Sequence, residues 1–300
     1  MIICRKCNRE LSEKNRGFVC SECGYKAAIL NNVIVFNPEI QDHHEDFDAD
    51  TLDYLYKYEK KHFWFAHRNK IIARVFGRYV NKNSHIIEIG AGTGAVARSL
   101  LAAGYKNMAV GEMHINGLEY ARTYGIKDLY QFDLLDAPFE RHFDVVCMFD
   151  VLEHIENDNL AIENARRILK NGGHIALTVP AHNWLWSNID FNSGHKRRYS
   201  KKMLGKLLAG KGFEVLYARY FFSLILPLLY VRTILNKKNK PTESAQIVKK
   251  SGLKIHGFPN SMLGALCKAE IFLSRLISFG AGGSLIMVAK KQSDSEKIVP

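Results

Sequence analysis

From about residue 84 onward, short apolar runs rich in β-branched residues alternate with stretches of helical spacing. The strand-like runs include HIIEI, NMAVGE, FDVVCMF and HIALTVP. Between most of them, apolar positions recur three or four residues apart, as on one face of a helix. This alternation is typical of a mostly parallel sheet that is covered by helices on both faces. The pattern therefore predicts an α/β domain.

The first 38 residues follow a different pattern. Two apolar runs, AAIL and VIVF, flank an Asn-Asn pair, which predicts two strands joined by a turn. The acidic stretch QDHHEDFDAD (41–50) comes next and is interpreted as part of a linker over residues 39–54. We expect its two histidines to be exposed linker residues.

Cysteines change the picture of this N-terminal segment. Four of the six lie in the first 23 residues, in the pairs CRKC and CSEC. Two such pairs can close a tetrahedral zinc site, and the metal would supply the folding energy that so short a segment lacks. Disulfides are the alternative, which a reducing compartment disfavours. The predicted ligands of a structural zinc ion are Cys4, Cys7, Cys20 and Cys23.

Length and composition fit a folded protein with a large domain and a small module. The chain has 300 residues, of which 47% are hydrophobic and 24% charged. The N-terminal residues lack the apolar core of a signal peptide, and no apolar run reaches the length that spans a bilayer. We therefore expect a cytoplasmic protein, with peripheral attachment to the inner face of the membrane as a further option.

Basic residues are concentrated in one region. The net charge is +12, and residues 195–254 alone contain fifteen Lys/Arg and two Glu. Such a local cluster indicates an anionic partner on one face, such as RNA, a phosphorylated substrate or an acidic lipid surface. A solvated surface is the alternative.

The segment IIEIGAGTG (86–94) carries the most specific motif of the chain. Gly90, Gly92 and Gly94 stand at a turn between a strand and a helix, where glycine lets the backbone approach a ligand. Dinucleotide-binding folds use a related loop, but their spacing differs, and here Glu88 precedes the glycines. The segment resembles motif I of the class I S-adenosylmethionine-dependent methyltransferases.

Further segments that resemble this family follow along the chain, and the resemblance covers residues 55–292. It implies a Rossmann-like sheet of seven mostly parallel strands with an antiparallel last strand, and it places Glu112 at the cofactor ribose and Asp133 at the adenine. Arg68, on a helix before the first strand, would pair with the methionyl carboxylate. The cofactor-binding residues that the resemblance implies are Arg68, Glu88, Gly90, Ala91, Gly92, Gly94, Glu112, Met113, Asp133, Leu134, Phe149 and Asp150. The N-terminal module, in turn, resembles the zinc-ribbon family that includes the activator subunit of several methyltransferases.

The segment DVLEHI (150–155) follows the fourth predicted strand, beside the expected methyl group. His154 is a candidate general base, because its ordinary pKa lies near neutrality. Asp150, Glu153 and His154 also resemble the E-x-x-E-H metal-binding set of ubiquinone-pathway O-methyltransferases, although the first acid here is Asp. A divalent ion at these three residues is therefore one possibility, and a structural loop histidine is another.

The segment PAHNWLWSNIDFNSGHKRRYS (180–200) follows the fifth predicted strand and should arch over the active site. Its resemblance to a methyltransferase subgroup implies an acceptor pocket, with His195 as a second candidate base. The predicted substrate residues are His182, Trp184, Asp190, Arg197, Arg198 and Tyr199, the last three at the pocket rim. Ser200 is expected to cap the next helix.

Between the last two predicted strands, at about residues 220–280, lies an apolar and basic insertion that includes YFFSLILPLLYVRTIL. It suits a helix in a membrane interface, and a buried helical pair or dimer interface is the alternative.

The sequence thus predicts a methyltransferase for a small or lipid-linked hydroxyl-bearing acceptor, of the quinone or polyprenyl-saccharide type, at an anionic membrane surface. An rRNA or tRNA methyltransferase is the second hypothesis, disfavoured because residues 1–50 carry six basic and nine acidic residues. A non-catalytic binding module is the third. Residues 293–300 are interpreted as a tail.

Overall fold

The computed structural model describes residues 1–14, 17–40, 43–44, 47–237 and 257–293. Its strands are β1 (Ser12–Lys14), β2 (Gly17–Val19), β3 (Ala28–Leu30), β4 (Val33–Val35), β5 (His43–His44), β6 (Phe47–Asp48), β7 (His85–Ile89), β8 (Asn107–Glu112), β9 (Asp128–Gln131), β10 (Phe143–Phe149), β11 (Leu169–Pro180), β12 (Phe213–Phe221) and β13 (Ser284–Lys291). Its helices are α1 (Ala49–Tyr58), α2 (Phe63–Tyr79), α3 (Ala95–Ala102), α4 (Ile115–Thr123), α5 (Asp158–Ile168), α6 (Asn188–Asn192), α7 (Lys201–Gly210), α8 (Leu226–Lys237) and α9 (Phe258–Leu273).

A mixed sheet of nine strands forms the centre of the molecule, in the order β12-β13-β11-β10-β7-β8-β9-β4-β3. Strands β7 to β11 are parallel to their neighbours within this group, and β13 runs antiparallel to both β11 and β12. The predicted Rossmann-like fold with an antiparallel last strand is therefore confirmed. The sheet is two strands wider than the seven predicted.

The two additional strands come from the N-terminal segment. Strand β4 pairs in parallel with β9, at Ile34–Tyr130 and Val35–Gln131, and β3 pairs with β4 as a hairpin. The hairpin turn is made by Asn31 and Asn32, whose φ angles of 52° and 65° suit a two-residue turn. The predicted Asn-Asn hairpin is thus confirmed, and its apolar strand covers the edge of β9.

Two hydrophobic layers cover the faces of the sheet. One layer contains residues of α2, α3, α4 and α9, including Phe76 and Cys267. The other contains residues of α5 and α7, together with Phe36 and Cys4 of the N-terminal segment. This segment is therefore packed into the main core rather than held apart by a linker.

Helix α1 begins at Ala49, inside the stretch predicted as a linker over 39–54. Its Leu52 is fully buried and packs over Gly92 and Gly117. The predicted linker therefore ends earlier than expected, because the buried side of α1 packs against the sheet domain.

The insertion between β12 and β13 contributes α8 and α9. In the described part of the chain, no helix combines the length and the apolar character needed to cross a membrane. The lysines at 237–254 favour an anionic membrane surface as a partner, and those after 237 lie outside the described residues, as do tail residues 294–300.

Candidate active site

The glycine loop connects β7 to α3. Gly90, Gly92 and Gly94 have φ angles of 64°, 55° and 77°, in the region that other residues rarely adopt. A Cβ atom at Gly90 would lie 2.7 Å from Val151, and one at Gly94 would lie 2.7 Å from Ala121. The loop therefore requires glycine, and its backbone can approach a ligand more closely than a loop with side chains.

Glu112 ends β8 and fastens the glycine loop. Its Oε2 accepts a hydrogen bond from the Gly92 N–H at 2.8 Å, and its Oε1 accepts one from the Met113 N–H at 2.7 Å. The Ala91 N–H donates to the Gly111 carbonyl at 3.3 Å. The structure thus brings Glu112, Met113 and the loop together at the carboxyl end of the sheet, where ligands bind in open α/β folds.

Asp133 follows β9 and caps a short 3₁₀ turn, Leu134–Asp136. Its Oδ1 accepts a hydrogen bond from the Leu135 N–H at 2.8 Å. The side chain of Leu134 is buried, and Asn164 on α5 donates to the Leu134 carbonyl at 3.1 Å. This capping contact fixes the direction of the Asp133 carboxylate at the strand end.

Asp150 directly follows β10 and has a φ angle of 57°. Its Oδ1 accepts from the Thr178 hydroxyl at 3.0 Å, and its Oδ2 accepts from Nη1 of Arg68 at 2.7 Å. The buried Nε of Arg68 has no hydrogen-bond partner within the described residues, so this guanidinium keeps a donor for an incoming carboxylate. The preceding Phe149 packs on Phe76 in the core.

Glu88 on β7 is a buried carboxyl group. Its Oε2 has no hydrogen-bond partner in the part of the chain that the structure describes. Burial raises the pKa of Glu88 to about 8, although the charge of Arg68 opposes this rise. Nearby, the buried Glu59 accepts from the Thr93 hydroxyl at 2.5 Å, and burial raises its pKa as well. This acidic wall suits a ligand with a cationic group.

Glu153, His154 and His195 lie together beside the loop that follows β10. One ligand atom of each is within 4.8 Å of the others. Glu153 is 1% exposed, and neither carboxyl oxygen has a hydrogen-bond partner among the described residues. Burial and the charge of Asp150 hold its pKa well above the usual range. The structure corrects the predicted metal set here: Asp150 contacts Arg68, and His195 stands in the cluster instead.

His195 is oriented by Asp190, a fully buried residue of α6. Nδ1 of His195 lies 2.9 Å from Oδ1 of Asp190, and Arg198 binds the same carboxylate through Nε at 2.7 Å and Nη2 at 3.0 Å. Burial opposes ionisation of Asp190, but the hydrogen bonds from His195 and Arg198 lower its pKa overall. The histidine ring is therefore fixed, and only Nε2 remains for a further partner.

Three predicted rim residues lie elsewhere than expected. Tyr199 is 0% exposed, and its hydroxyl donates to Asp158 at 3.0 Å. Arg197 pairs with the same Asp158 at 2.9 Å, and Arg198 pairs with Asp190. The predicted position at the pocket rim is therefore corrected. The hydroxyl and guanidinium groups of these residues bind the carboxylates of Asp158 and Asp190, and they stabilise the loop instead of facing an acceptor.

His182 and Trp184 form an aromatic group at the start of the same loop. The ring of His182 stacks on Trp184 at 5.1 Å between centroids and lies 4.5 Å from the ring of Tyr220. Burial, together with Arg198, lowers the pKa of His182. This group lies beside α8, since Trp184 also meets the ring of Tyr230.

The four N-terminal cysteines converge in space. Their sulfur atoms all lie within 4.8 Å of one another, with 3.5 Å between Cys4 and Cys23 and 3.4 Å between Cys7 and Cys20. No pair forms a disulfide. Four thiols at these separations fit the tetrahedral ligand set of a zinc ion.

Sequence reasoning missed two residues that shape the site. Glu59 reaches Thr93 next to the glycine loop, and Asn37 reaches the loop after β9. Each contact joins residues that are far apart in the chain, and neither stands in a motif. Only the tertiary structure identifies them.

A model of the methyltransferase domain family matches residues 56–218, which is more than half of the chain. The chain belongs to this family. These residues therefore form a methyltransferase domain. The residues present fit S-adenosylmethionine, because the glycine loop leaves no room for Cβ atoms at Gly90 and Gly94, and because Oε2 of Glu88 and Nε of Arg68 have no hydrogen-bond partner among the described residues.

Curated relatives are similar over part of their length. The chain is 31% identical over 99 residues to a ubiquinone biosynthesis O-methyltransferase of Rickettsia conorii, covering 31% of this chain and 34% of that protein. It is 25% identical over 169 residues to a probable S-adenosylmethionine-dependent methyltransferase of Mycobacterium tuberculosis, covering 51% and 56%. The chain spans less than two thirds of the curated relatives it matches.

A solved structure with the same fold comes from a complex between the Trm112 methyltransferase activator and a putative methyltransferase of Haloferax volcanii. Its TM-score is 0.53 at 16% identity, over 83% of this chain and 97% of that chain. At this identity the likeness establishes the fold alone.

Proposed function

We propose that this methyltransferase transfers the methyl group to a hydroxyl oxygen of a small or lipid-linked acceptor, of the quinone or polyprenyl-saccharide type, at a membrane surface. The observation that carries the proposal is an exposed apolar face on α8 and α9, beside the predicted acceptor loop. The similarity to a ubiquinone biosynthesis O-methyltransferase supports a hydroxyl acceptor.

We define the apolar face by the exposed large hydrophobic residues of α8 and of the segment 258–277. Phe258 is 79% exposed, Leu276 is 76% exposed and Leu235 is 64% exposed. Its other members are Leu228, Tyr230, Val231, Ile234, Met262, Leu266, Phe272 and Ile277. Exposed apolar surface on a helix is typical of a lipid or protein contact, and amphipathic helices can lie in a membrane interface.

Helix α8 connects this face to the acceptor loop. The Thr233 hydroxyl donates to the Leu185 carbonyl at 3.3 Å, and Tyr230 meets the ring of Trp184. A hydroxyl acceptor carried on a lipid would therefore enter beside His182 and Trp184 while its chain stays on the apolar face.

We assign His195 as the base that takes the acceptor proton, with His154 as its neighbour. S-adenosylmethionine would supply the methyl group, and His195 would take the hydroxyl proton as the acceptor oxygen bonds to the methyl carbon and the carbon–sulfur bond breaks. Asp190 holds Nδ1 of His195 at 2.9 Å, which favours the ring orientation and stabilises the imidazolium that forms. His154 lies next to it, with 4.8 Å between ring centroids.

We assign the cofactor-binding residues by their positions at the strand ends. Glu88 and Arg68 would hold the ammonium and carboxylate of the methionyl part. Glu112 and Met113 would face the ribose, and Asp133 would face the adenine.

As the alternative to His195 as base, we propose a divalent ion held by Glu153, His154 and Nε2 of His195, in which case another group would take the acceptor proton. Glu153 supports this assignment, because a fully buried carboxyl group with no hydrogen-bond donor is costly unless it is protonated or binds a cation. Bound there, the ion would polarise the acceptor oxygen.

Residues 1–38 would form a zinc ribbon with the four cysteines as ligands, and residues 55–292 would form the catalytic domain.

The test of the proposed function combines binding to vesicles with methylation. We expect the protein to sediment with phosphatidylglycerol vesicles and to methylate a polyprenylated phenol in them. Leu276→Glu should weaken both, and Leu160→Glu, at a 38% exposed position on α5, is the matched control. Salt-dependent binding to RNA without binding to vesicles would contradict the proposal and favour an RNA methyltransferase.

A further inference from the structure

Asn37, at the end of the N-terminal module, holds the loop that follows β9. Its Oδ1 accepts a hydrogen bond from the Asp133 N–H at 3.2 Å. Its backbone N–H donates to Oε1 of Gln131 at 3.1 Å, and its carbonyl accepts from Nε2 of Gln131 at 2.9 Å. Both side chains are buried, at 3% and 2% exposure. One asparagine therefore fixes the backbone at the point where β9 ends.

Asn37 and Gln131 also connect to the end of the neighbouring strand, β8. Nε2 of Gln131 also donates to the Met113 carbonyl at 3.2 Å. Asn37 and Gln131 thus connect the residues that follow β8 and β9, which are the two strand ends assigned to the adenosine part of the cofactor.

Arg5 fastens the cysteine segment to the far side of this loop. It lies between Cys4 and Cys7, and it donates to the Phe36 carbonyl at 2.6 Å and to Asp136 at 2.6 Å. Glu39 accepts from both Arg5, at 2.8 Å, and Asn37, at 3.0 Å. The contacts from the cysteine pair to Asp133 and Asp136 are therefore continuous.

We infer that Asn37 is a positioning residue for the adenosine end of the cofactor, and that Arg5 links the cysteine module to the same loop. The inference rests on the proposed placement of Asp133 and Met113 beside the cofactor. Asn37 acts through the backbone of Asp133. A loop that is already ordered in the free enzyme binds its ligand more tightly than one that must be ordered on binding.

The test measures the Kd of S-adenosylmethionine and of 5′-methylthioadenosine by calorimetry. The second ligand contains the adenosine but lacks the amino-acid part. We expect Asn37→Ala to weaken both by about tenfold, equivalent to about 1.4 kcal/mol, and kcat at saturating S-adenosylmethionine to stay unchanged. Arg5→Ala should weaken both by a smaller factor, and Lys6→Ala, an exposed neighbour, should leave both Kd values unchanged.

A stability control separates positioning from general weakening of the fold. Leu208→Ala, in α7, removes buried apolar contacts away from the loop. It should lower the melting temperature and leave both Kd values unchanged, when all variants are measured well below their melting temperatures. An equal loss of affinity in Leu208→Ala and Asn37→Ala would overturn the inference.

The variant Asp133→Ala distinguishes a failure of the Asn37 inference from a failure of the proposed contact between Asp133 and the adenosine. If Asp133→Ala weakens S-adenosylmethionine and Asn37→Ala does not, the inference is wrong and the cofactor assignment stands. If Asp133→Ala leaves the Kd unchanged, the assignment of this loop to the adenosine fails, and the inference fails with it.

Discussion

Nδ1 of His195 lies 2.9 Å from Oδ1 of Asp190, and Arg198 holds the other side of that carboxylate. This arrangement uses one ring nitrogen for orientation and keeps the other for chemistry. It also explains why a run of three basic residues, Lys196 to Arg198, does not form a free cationic surface: Arg197 and Arg198 are already paired with acids.

His195→Gln should lower kcat by about 10²- to 10⁴-fold, which is the usual contribution of a general base. The glutamine keeps a polar group near Asp190 but cannot accept the proton. The Kd of S-adenosylmethionine, measured by calorimetry, should stay unchanged, since the cofactor residues are intact. Lys202→Ala, an exposed position on the next helix, is the matched control, and a kcat for His195→Gln equal to that of Lys202→Ala would remove His195 from the reaction.

Glu88→Gln should flatten the dependence of stability on pH. The folded-state pKa of Glu88 is about 8, raised by burial, with Arg68, Glu59 and Glu112 as the neighbouring charges. In the unfolded chain the carboxyl group ionises near its usual pKa of about 4.3. The unfolded state therefore loses its proton first, and the folded state loses stability as the pH rises from about 4.5 towards 8.

Urea unfolding of both proteins at pH 5, 6.5 and 8 measures this effect. The wild-type protein should lose more unfolding free energy between pH 5 and pH 8 than Glu88→Gln does. Parallel pH profiles for the two proteins would show that Glu88 is ionised in the folded state.

Removal of metal from the cysteine module should destabilise the whole methyltransferase. Because Cys4 packs in the same core layer as Phe36, loss of the local fold exposes apolar surface of the main domain. We expect about one zinc ion per chain by atomic absorption, and a lower melting temperature after chelation or in Cys7→Ser. Cys147→Ala, at a buried cysteine outside the module, should keep the zinc, and a zinc-free wild-type protein with an unchanged melting temperature would contradict this expectation.

Tyr199→Phe should cost about 1–3 kcal/mol of unfolding free energy, because the buried Asp158 carboxylate loses the hydroxyl that donates to it. Tyr105→Phe is the matched control. The Tyr105 hydroxyl is buried and has no hydrogen-bond partner within the described residues, so its removal should be neutral or stabilising. Thermal or urea unfolding of the two variants gives the comparison, and equal losses would assign the effect of Tyr199→Phe to packing rather than to the hydrogen bond.

The sheet domain was predictable because its strands and its glycine loop are local signals. The apolar runs gave β7, β8 and β10, and the spacing of Gly90, Gly92 and Gly94 matched a loop that needs positive φ angles. The predicted cap at Ser200 is also a local pattern, and the structure has it, with the Met203 N–H donating to the Ser200 side chain at 3.2 Å.

Contacts between distant segments were not predictable. The predicted metal set contained Asp150, whereas the observed cluster of possible metal ligands contains His195 in its place. Asp150 instead binds Arg68, which is 82 positions away in the chain. Likewise, the burial of Tyr199 depends on Asp158 in α5, which no pattern in the acceptor loop reveals. Pairing of charges in three dimensions decided both cases.

Strand β4 has a consequence for the solubility of the catalytic domain. By pairing with β9, it occupies backbone groups that would otherwise form an open sheet edge. Open edges template contacts between molecules and promote aggregation. The N-terminal module therefore moves the sheet edge from β9 to β3, a strand of three residues, and a shortened chain that begins after residue 40 would expose β9 to neighbouring copies.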